Sequence, residues 1–192
     1  MKKLIVGISG ASGAIYGIRL LEVLRDVPEV ETHVIVSSAA RLTLSLETDY
    51  PQDVFETLAH RIYKTGDVAA AISSGSFTTI GMVVVPCSMK TLSGIANSYA
   101  DNLLLRAADV VLKERRRLVL VARETPLHLG HLRLMTQVTE MGAVVMPPVP
   151  AFYHRPQTIQ DIVDPTISRI LDLLDIELDG ELVERWHGPP HE

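Results

Sequence analysis

The chain is 192 residues long, the size of one domain or of one domain with an appendage, and long enough to bury a full core. Its formal net charge of -5 argues against a general nucleic-acid binder, and its low share of charged residues, 21% against 47% hydrophobic, points to subunit contacts that hide part of the surface. The single cysteine, Cys87, rules out an intrachain disulfide and fits a reducing, cytoplasmic compartment, while glycines and Arg19 interrupt any signal-peptide core and no apolar run reaches membrane-spanning length.

The first predicted element is a buried strand, Leu4 to Ile8, followed by a glycine-serine turn and an amphipathic helix from Gly13 to Arg25. Gly10 and Gly13 let the backbone turn sharply and bring N–H groups close to an anion, and the helix aims its positive end at the same spot. The same glycines would also serve a tight turn that needs them for geometry alone. The turn lacks the Lys-Ser/Thr ending of a Walker loop, and its Gly7-x-x-Gly10-x-x-Gly13 spacing is not the dinucleotide G-x-G-x-x-G. The second strand, His33 to Val36, runs into Ser37-Ser38 where a ribose-binding dehydrogenase would carry an acidic residue, so a mononucleotide fits better than NAD.

Ser37-Ser38 caps a predicted helix from Ala39 to Leu46. The long gap from Thr48 to Gly81 holds a predicted helix over Gln52 to Arg61 and a Ser/Gly-rich loop, Ser73 to Ser76, expected to be mobile. A third strand, Met82 to Val85, leads through Pro86-Cys87 to Ser88 and Thr91 at the start of a crossover helix. Asn102 to Leu112 is helical, Leu118 to Val121 is the fourth strand, Leu132 to Met141 is helical, and Ala143 to Met146 is the fifth strand. Pro147-Pro148-Val149-Pro150 is stiff and extended, a final helix covers about Thr158 to Leu174, and the tail Gly180 to Glu192 is polar and loosely held apart from Trp186. The expected organisation is one domain over 1–179 with a tail over 180–192. Strands alternating with helices mean an α/β sandwich, a parallel sheet of about five or six strands covered on both faces.

Ligands of such a sheet sit at the carboxyl ends of its strands. There the sequence places Gly10-Ala11-Ser12, Ser37, the segment Ser88-Met89-Lys90-Thr91, Arg123-Glu124 and the Phe152-Tyr153-His154 stretch, a set that suits a phosphate ester beside a flat aromatic ring. Ser88 and Thr91 serve equally as helix caps. Cys87 has no histidine near it in sequence and reads as a packing residue. Glu124, at a strand end beside Arg123 and close to Pro126, is placed for proton transfer, though an Arg-Glu surface pair has the same pattern. Arg106 and Lys113 lie two turns apart on one helix face, so both can reach one anion, though solvated charges are the default for such a pair. His128 and His131 have metal-ligand spacing, yet no Cys/Asp/Glu cluster completes a site, and no metal is expected.

Six ordered segments carry a resemblance over nearly the whole chain: Gly-Ile-Ser-Gly-Ala-Ser-Gly-Ala at 7–14, Leu-Glu-Thr-Asp at 46–49, Pro-Cys-Ser-Met-Lys-Thr-Leu at 86–92, Arg-Ala-Ala-Asp-Val-Val-Leu-Lys-Glu-Arg at 106–115, Arg-Glu-Thr-Pro-Leu at 123–127 and Pro-Ala-Phe-Tyr-His-Arg-Pro at 150–156. With these the sequence resembles the flavin prenyltransferases of the UbiX/Pad type. Arg117 stands where many members have proline.

The resemblance implies a flavodoxin-like (Rossmann-like) homo-oligomer, typically a dodecamer, with FMN near a subunit interface. It implies transfer of a dimethylallyl group from dimethylallyl monophosphate to N5 and then C6 of reduced FMN, making prenylated FMN for UbiD-type decarboxylases of ubiquinone synthesis or aromatic acid metabolism. Labels of decarboxylase on such chains would then describe the partner's activity. By position, Gly10, Ala11, Ser12, Ser37, Ser88, Met89, Lys90, Thr91 and Arg123 resemble FMN contacts. Tyr153 and Arg169 resemble contacts to the dimethylallyl phosphate, with Arg106, Lys113 and Glu47 around its phosphate end. Glu124 resembles the base for ring closure, relayed through Ser12. Two rivals share the fold. An FMN-dependent cysteine decarboxylase would carry a Pro-x-Met-Asn-x-x-Met-Trp pattern and an early catalytic histidine, and neither occurs here. A non-catalytic FMN-binding subunit would have no use for Glu124, Lys113 and Arg106 together.

Overall fold

The structure, a computed structural model, describes residues 1–184 and 188. The sequence expectation for Trp186 falls outside the described residues. Six strands form one all-parallel sheet: β1 (Lys2–Ile8), β2 (Val30–Val36), β3 (Arg61–Tyr63), β4 (Gly81–Cys87), β5 (Arg117–Ala122) and β6 (Val144–Val145). Their spatial order is β3-β2-β1-β4-β5-β6. The chain winds outward from β1 to one edge, crosses back, and winds outward to the other, so the switch point lies between β1 and β4. This is the flavodoxin-like, Rossmann-like architecture, with helices α1 (Ala14–Arg25), α2 (Ser38–Glu47), α3 (Val54–Leu58), α4 (Met89–Ala96), α5 (Leu103–Lys113), α6 (Leu129–Glu140) and α7 (Ile159–Leu173).

Alternation along the strands divides the core in two. Leu4, Val6, Ile8, Val83, Val85, Val119 and Val121 pack against Ile18, Leu21 and Leu24 of α1 and Ile167 and Ile170 of α7. On the other face Ile5, Met82, Val84, Leu118 and Leu120 pack against Leu104, Ala108 and Val111 of α5 and Val138 of α6. Ile18 is completely buried, and truncation to alanine would cost about 2–5 kcal/mol.

Two segments depart from the sequence expectation. The helix over Gln52 to Arg61 is cut to α3, because Ala59 turns extended and Arg61–Tyr63 pairs with His33–Ile35 as the sixth, edge strand. Three apolar residues, Val54, Phe55 and Leu58, make only one turn of amphipathic pattern, and strand pairing overrides the rest. The Ser73–Ser76 loop, expected to be mobile, is clamped: Arg106 Nε donates to the Ser73 carbonyl at 3.2 Å, and Arg116 donates to the carbonyls of Gly75 at 2.8 Å and Phe77 at 2.7 Å. Elsewhere the ends shift by a few residues. α6 starts at Leu129 because the His128 side chain accepts the Gly130 N–H, and Thr158 with Asp161 forms a capping box on α7.

Candidate active site at the carboxyl edge of the sheet

The carboxyl ends of β1, β2, β4 and β5 are tied laterally by four backbone N–H groups. Ser37 N–H donates to the Ile8 carbonyl (2.9 Å), Ser9 N–H to Pro86 (3.2 Å) and Arg123 N–H to Cys87 (3.1 Å). The Ser9 hydroxyl donates to the Pro86 carbonyl at 3.0 Å and accepts the Ser88 N–H at 2.8 Å. Ser9 is 2% exposed and was missed by sequence reasoning; its signal is a hydroxyl at the end of an apolar strand, beside a glycine that starts a turn. Pro86, which has no N–H to give the ladder, sits where the β4–β5 register shifts between Val84 and Cys87.

Two helices begin at this edge with hydroxyl caps. Ser37 accepts the Ala40 N–H at 3.1 Å, and Ser88 accepts the Thr91 N–H at 3.3 Å while donating to the Thr91 hydroxyl at 3.1 Å. Gly10 lies against the first of them: a Cβ there would come within 2.3 Å of Ala39 Cβ, so only glycine lets the β1–α1 turn approach α2 this closely. Half-buried hydroxyls and uncommitted N–H groups at the starts of α2 and α4, with Arg123 nearby, suit a phosphate ester at the switch point.

The start of α1 is used differently. Gly13 is left-handed at φ 107°, and the Glu47 carboxylate accepts the N–H groups of Gly13 (2.8 Å) and Ala14 (3.2 Å). The anion at this helix terminus is thus a side chain of α2, which corrects the expectation that the first helix aims its positive end at a ligand phosphate. Burial works to raise the Glu47 carboxyl, but the Ser12 hydroxyl, the two N–H groups and the charge of Arg123 outweigh it and hold it below its ordinary value. Glu47, Ser12 and Arg123 therefore form one electrostatic group. Glu124 follows on an exposed turn, its carboxylate accepting the Thr125 N–H at 3.0 Å. Cys87 is fully buried, which pushes its thiol up to about 12 and leaves it a packing residue.

Arg106, Lys113, Tyr153 and Arg169 stand elsewhere on the chain. Arg106 pairs with Asp109 at 2.8 Å and Lys113 with Glu114, both along the outer face of α5. α5 starts at the carboxyl edge, where Leu103 N–H meets the Thr65 carbonyl just past β3. It ends beside the first residue of β5. Lys113 thus precedes β5 and Glu124 follows it, so a six-residue strand, roughly 20 Å, separates them. Arg169 pairs with Asp172 on α7, across the sheet from α5, and Tyr153 is 60% exposed with His154 edge-on at 5.2 Å. Among the described residues no three His, Cys, Asp or Glu side chains are grouped to hold a metal; the ring centroids of His128 and His131 lie 3.6 Å apart with their planes tilted by 32°.

A parallel doubly wound sheet with a phosphate-adapted switch point defines a nucleotide- or flavin-binding α/β protein. Comparison with known proteins narrows this class. A sequence model of the family described as Flavoprotein matches residues 1–171. The chain is 65% identical to flavin prenyltransferase UbiX of Escherichia coli over 188 residues, 98% of this chain and all of that one. A crystal structure of a UbiX in complex with FMN and dimethylallyl pyrophosphate superposes with a TM-score of 0.92 at 52% identity, covering 97% of this chain and 98% of that one. A dodecameric FMN-dependent UbiX-like decarboxylase from Escherichia coli superposes at 0.93 with 51% identity, covering 97% of this chain and all of that one. The chain belongs to the flavoprotein family and, within it, to the flavin prenyltransferases of the UbiX type.

Proposed function

We propose that this protein is a flavin prenyltransferase that joins a dimethylallyl group from a dimethylallyl phosphate to reduced FMN, the monophosphate being the donor. The observation that carries this reading is the laterally tied carboxyl edge, which presents the Gly10–Ser12 turn, the Ser37 and Ser88 caps and Arg123-Glu124 at one switch point. Similarity to proteins named for this activity, and to one bound to FMN and dimethylallyl pyrophosphate, supports it. Residues 1–179 serve as one flavoprotein domain.

The roles follow from residue chemistry. N–H groups at the starts of α2 and α4, with Ser37, Ser88 and Thr91, take the FMN phosphate, and Gly10, Ala11, Ser12, Met89, Lys90 and Arg123 line the remainder of the flavin site. When bound, reduced flavin supplies the nucleophilic N5 and C6 atoms. Allyl-phosphate cleavage builds negative charge on the leaving oxygen, and fixed cations, Arg106 and Lys113 with Arg169, stabilise that charge where it forms. Tyr153 holds the donor. Glu124 takes the C6 proton at ring closure, and Ser12, hydrogen-bonded to Glu47, relays it to the phosphate released from the donor.

Because roughly 20 Å of β5 separates Lys113 from Glu124 within one chain, the complete site takes Lys113 from a neighbouring copy. Exposed Leu42, Leu46, Val149 and Phe152 supply apolar surface for such contacts, and the dodecameric relative supports a homo-oligomer of that size. Prenylated FMN then passes to a UbiD-type decarboxylase in the cytoplasm. Incubating purified protein with reduced FMN and dimethylallyl monophosphate should raise the flavin mass by the dimethylallyl increment. An unchanged flavin mass with both the monophosphate and the pyrophosphate would overturn this assignment.

A further inference from the structure

The cations of α5 are not left to swing in solvent. Lys113 is paired with Glu114, and the pair is pressed against Gly75: a Cβ on that glycine would sit 2.2 Å from Glu114 Oε1 and 2.9 Å from Lys113 Nζ. Gly75 is in turn fixed by Arg116, which lies outside α5 and outside every role assigned above. One guanidinium nitrogen of Arg116 donates to the Gly75 carbonyl at 2.8 Å and another to the Phe77 carbonyl at 2.7 Å. The fork thus grips two carbonyls of one short loop. The far side of the loop is anchored by the Phe77 ring, which meets the His33 ring edge-on at 4.9 Å and lies under Lys3 Nζ at 4.5 Å. Arg106 holds the near end through the Ser73 carbonyl. The loop is therefore a fixed wall, and its smallest residue faces the ammonium group.

We infer that Arg116 and Gly75 are positioning residues for Lys113: Arg116 fixes the loop, and the bare Cα of Gly75 leaves the space in which the Lys113–Glu114 pair is seated. This rests on the reading of Lys113 as a donor-phosphate ligand. In this reading their contacts are to the loop and to the Lys113–Glu114 pair, and both act through where Lys113 Nζ points. Long cationic side chains have many rotamers, and a phosphate-binding ammonium displaced by about 1 Å loses much of its effect on the leaving oxygen.

Gly75→Ala is the cleaner probe. Its new methyl meets only the far ends of two side chains and no backbone, and the glycine φ is not in the left-handed region, so the backbone is not strained. Arg116→Gln releases the two carbonyls, and Arg116→Lys restores the charge with one point donor in place of the fork. Prenyl transfer by each variant would be measured against dimethylallyl monophosphate, with FMN affinity and melting temperature alongside. The expected result is a fall in kcat/KM for the donor of between roughly tenfold and a hundredfold in Gly75→Ala and Arg116→Gln. FMN affinity should stay at the wild-type value, and Arg116→Lys should recover part of the loss. Wild-type donor kcat/KM in folded Gly75→Ala would overturn the inference, as would a loss matched by an equal loss of FMN affinity. Wild-type protein that modifies no flavin would instead remove the proposed function, so the two failures are distinguishable.

Discussion

The carboxyl edge and the outer face of α5 carry the same kind of chemistry in opposite ways. At the carboxyl edge the polar groups are mostly backbone N–H groups and short hydroxyls. Strand order fixes their places, and bonds such as Ser9 to Pro86 and Ser37 to Ile8 tie them to one another. On α5 they are long cationic side chains, each already matched to a carboxylate, Arg106 to Asp109 and Lys113 to Glu114. The groups of the first region are held by the backbone of one chain, whereas those of the second are free to be shared, and in the proposed reading the row of cations on α5 serves the site of a neighbouring copy.

The largest effects should separate the two regions cleanly. Glu124→Gln should retain FMN but stop before ring closure, lowering four-ring product by roughly 10²–10⁴-fold, the usual worth of a positioned general base. Normal yield of that product, read by flavin mass, would remove the role. Lys113→Ala should bind FMN as tightly as wild type and lose donor turnover by roughly a hundredfold. The sharper experiment mixes the two defects: oligomers reassembled from Glu124→Gln and Lys113→Ala chains contain some sites with both wild-type residues if neighbouring copies share a site. Recovered turnover in the mixture is expected, whereas none at all would place both residues in one chain's site and contradict the 20 Å separation that β5 imposes.

How far the sequence showed this division depends on the kind of signal. Strands of Leu, Ile and Val separated by amphipathic helices point to the parallel sheet, and the rule that ligands sit at carboxyl ends puts Ser12, Ser37, Ser88 and Glu124 at one edge from the sequence alone. β3 was hidden because three residues, Arg61–Tyr63, are too few for a periodicity and follow one helical turn. The clamp on the 73–77 loop was hidden because Ser and Gly read as mobile, while the groups that hold it, Arg106 and Arg116, lie about 30 to 40 positions further on. Glu47 at the start of α1 was hidden for the same reason. Caps usually come from the residues just before a helix, and this one arrives from 34 positions away.

Removing the lateral ties tests whether the carboxyl edge is rigid by construction. Ser9→Ala leaves the half-buried Ser88 N–H without its acceptor and the Pro86 carbonyl without its hydroxyl donor, and should cost about 1–3 kcal/mol, a fall in melting temperature of several degrees for a chain of this size, together with weaker FMN binding. Ser88→Ala removes a cap and should cost about 1 kcal/mol. An unchanged melting curve for Ser9→Ala would mean that water replaces the hydroxyl and that the edge is looser than its hydrogen bonds imply.

The smallest effect concerns pH. The folded state holds the Glu47 carboxyl below its ordinary value of 4.5, so the unfolded chain takes up its proton first as pH falls. The carboxylate therefore contributes stability that is fully present above about 4.5 and is lost as pH drops through the lower, folded value. Glu47→Gln, which cannot ionise, should be less stable than wild type at neutral pH, and the gap between their melting temperatures should close on acidification below 4.5. A gap that stays constant down to pH 3 would show that the interaction with Gly13 and Ala14 is one of shape and hydrogen bonding alone. A gap that closes would show that α1 begins on a charge supplied by α2, leaving the starts of α2 and α4 as the helix ends open to a phosphate.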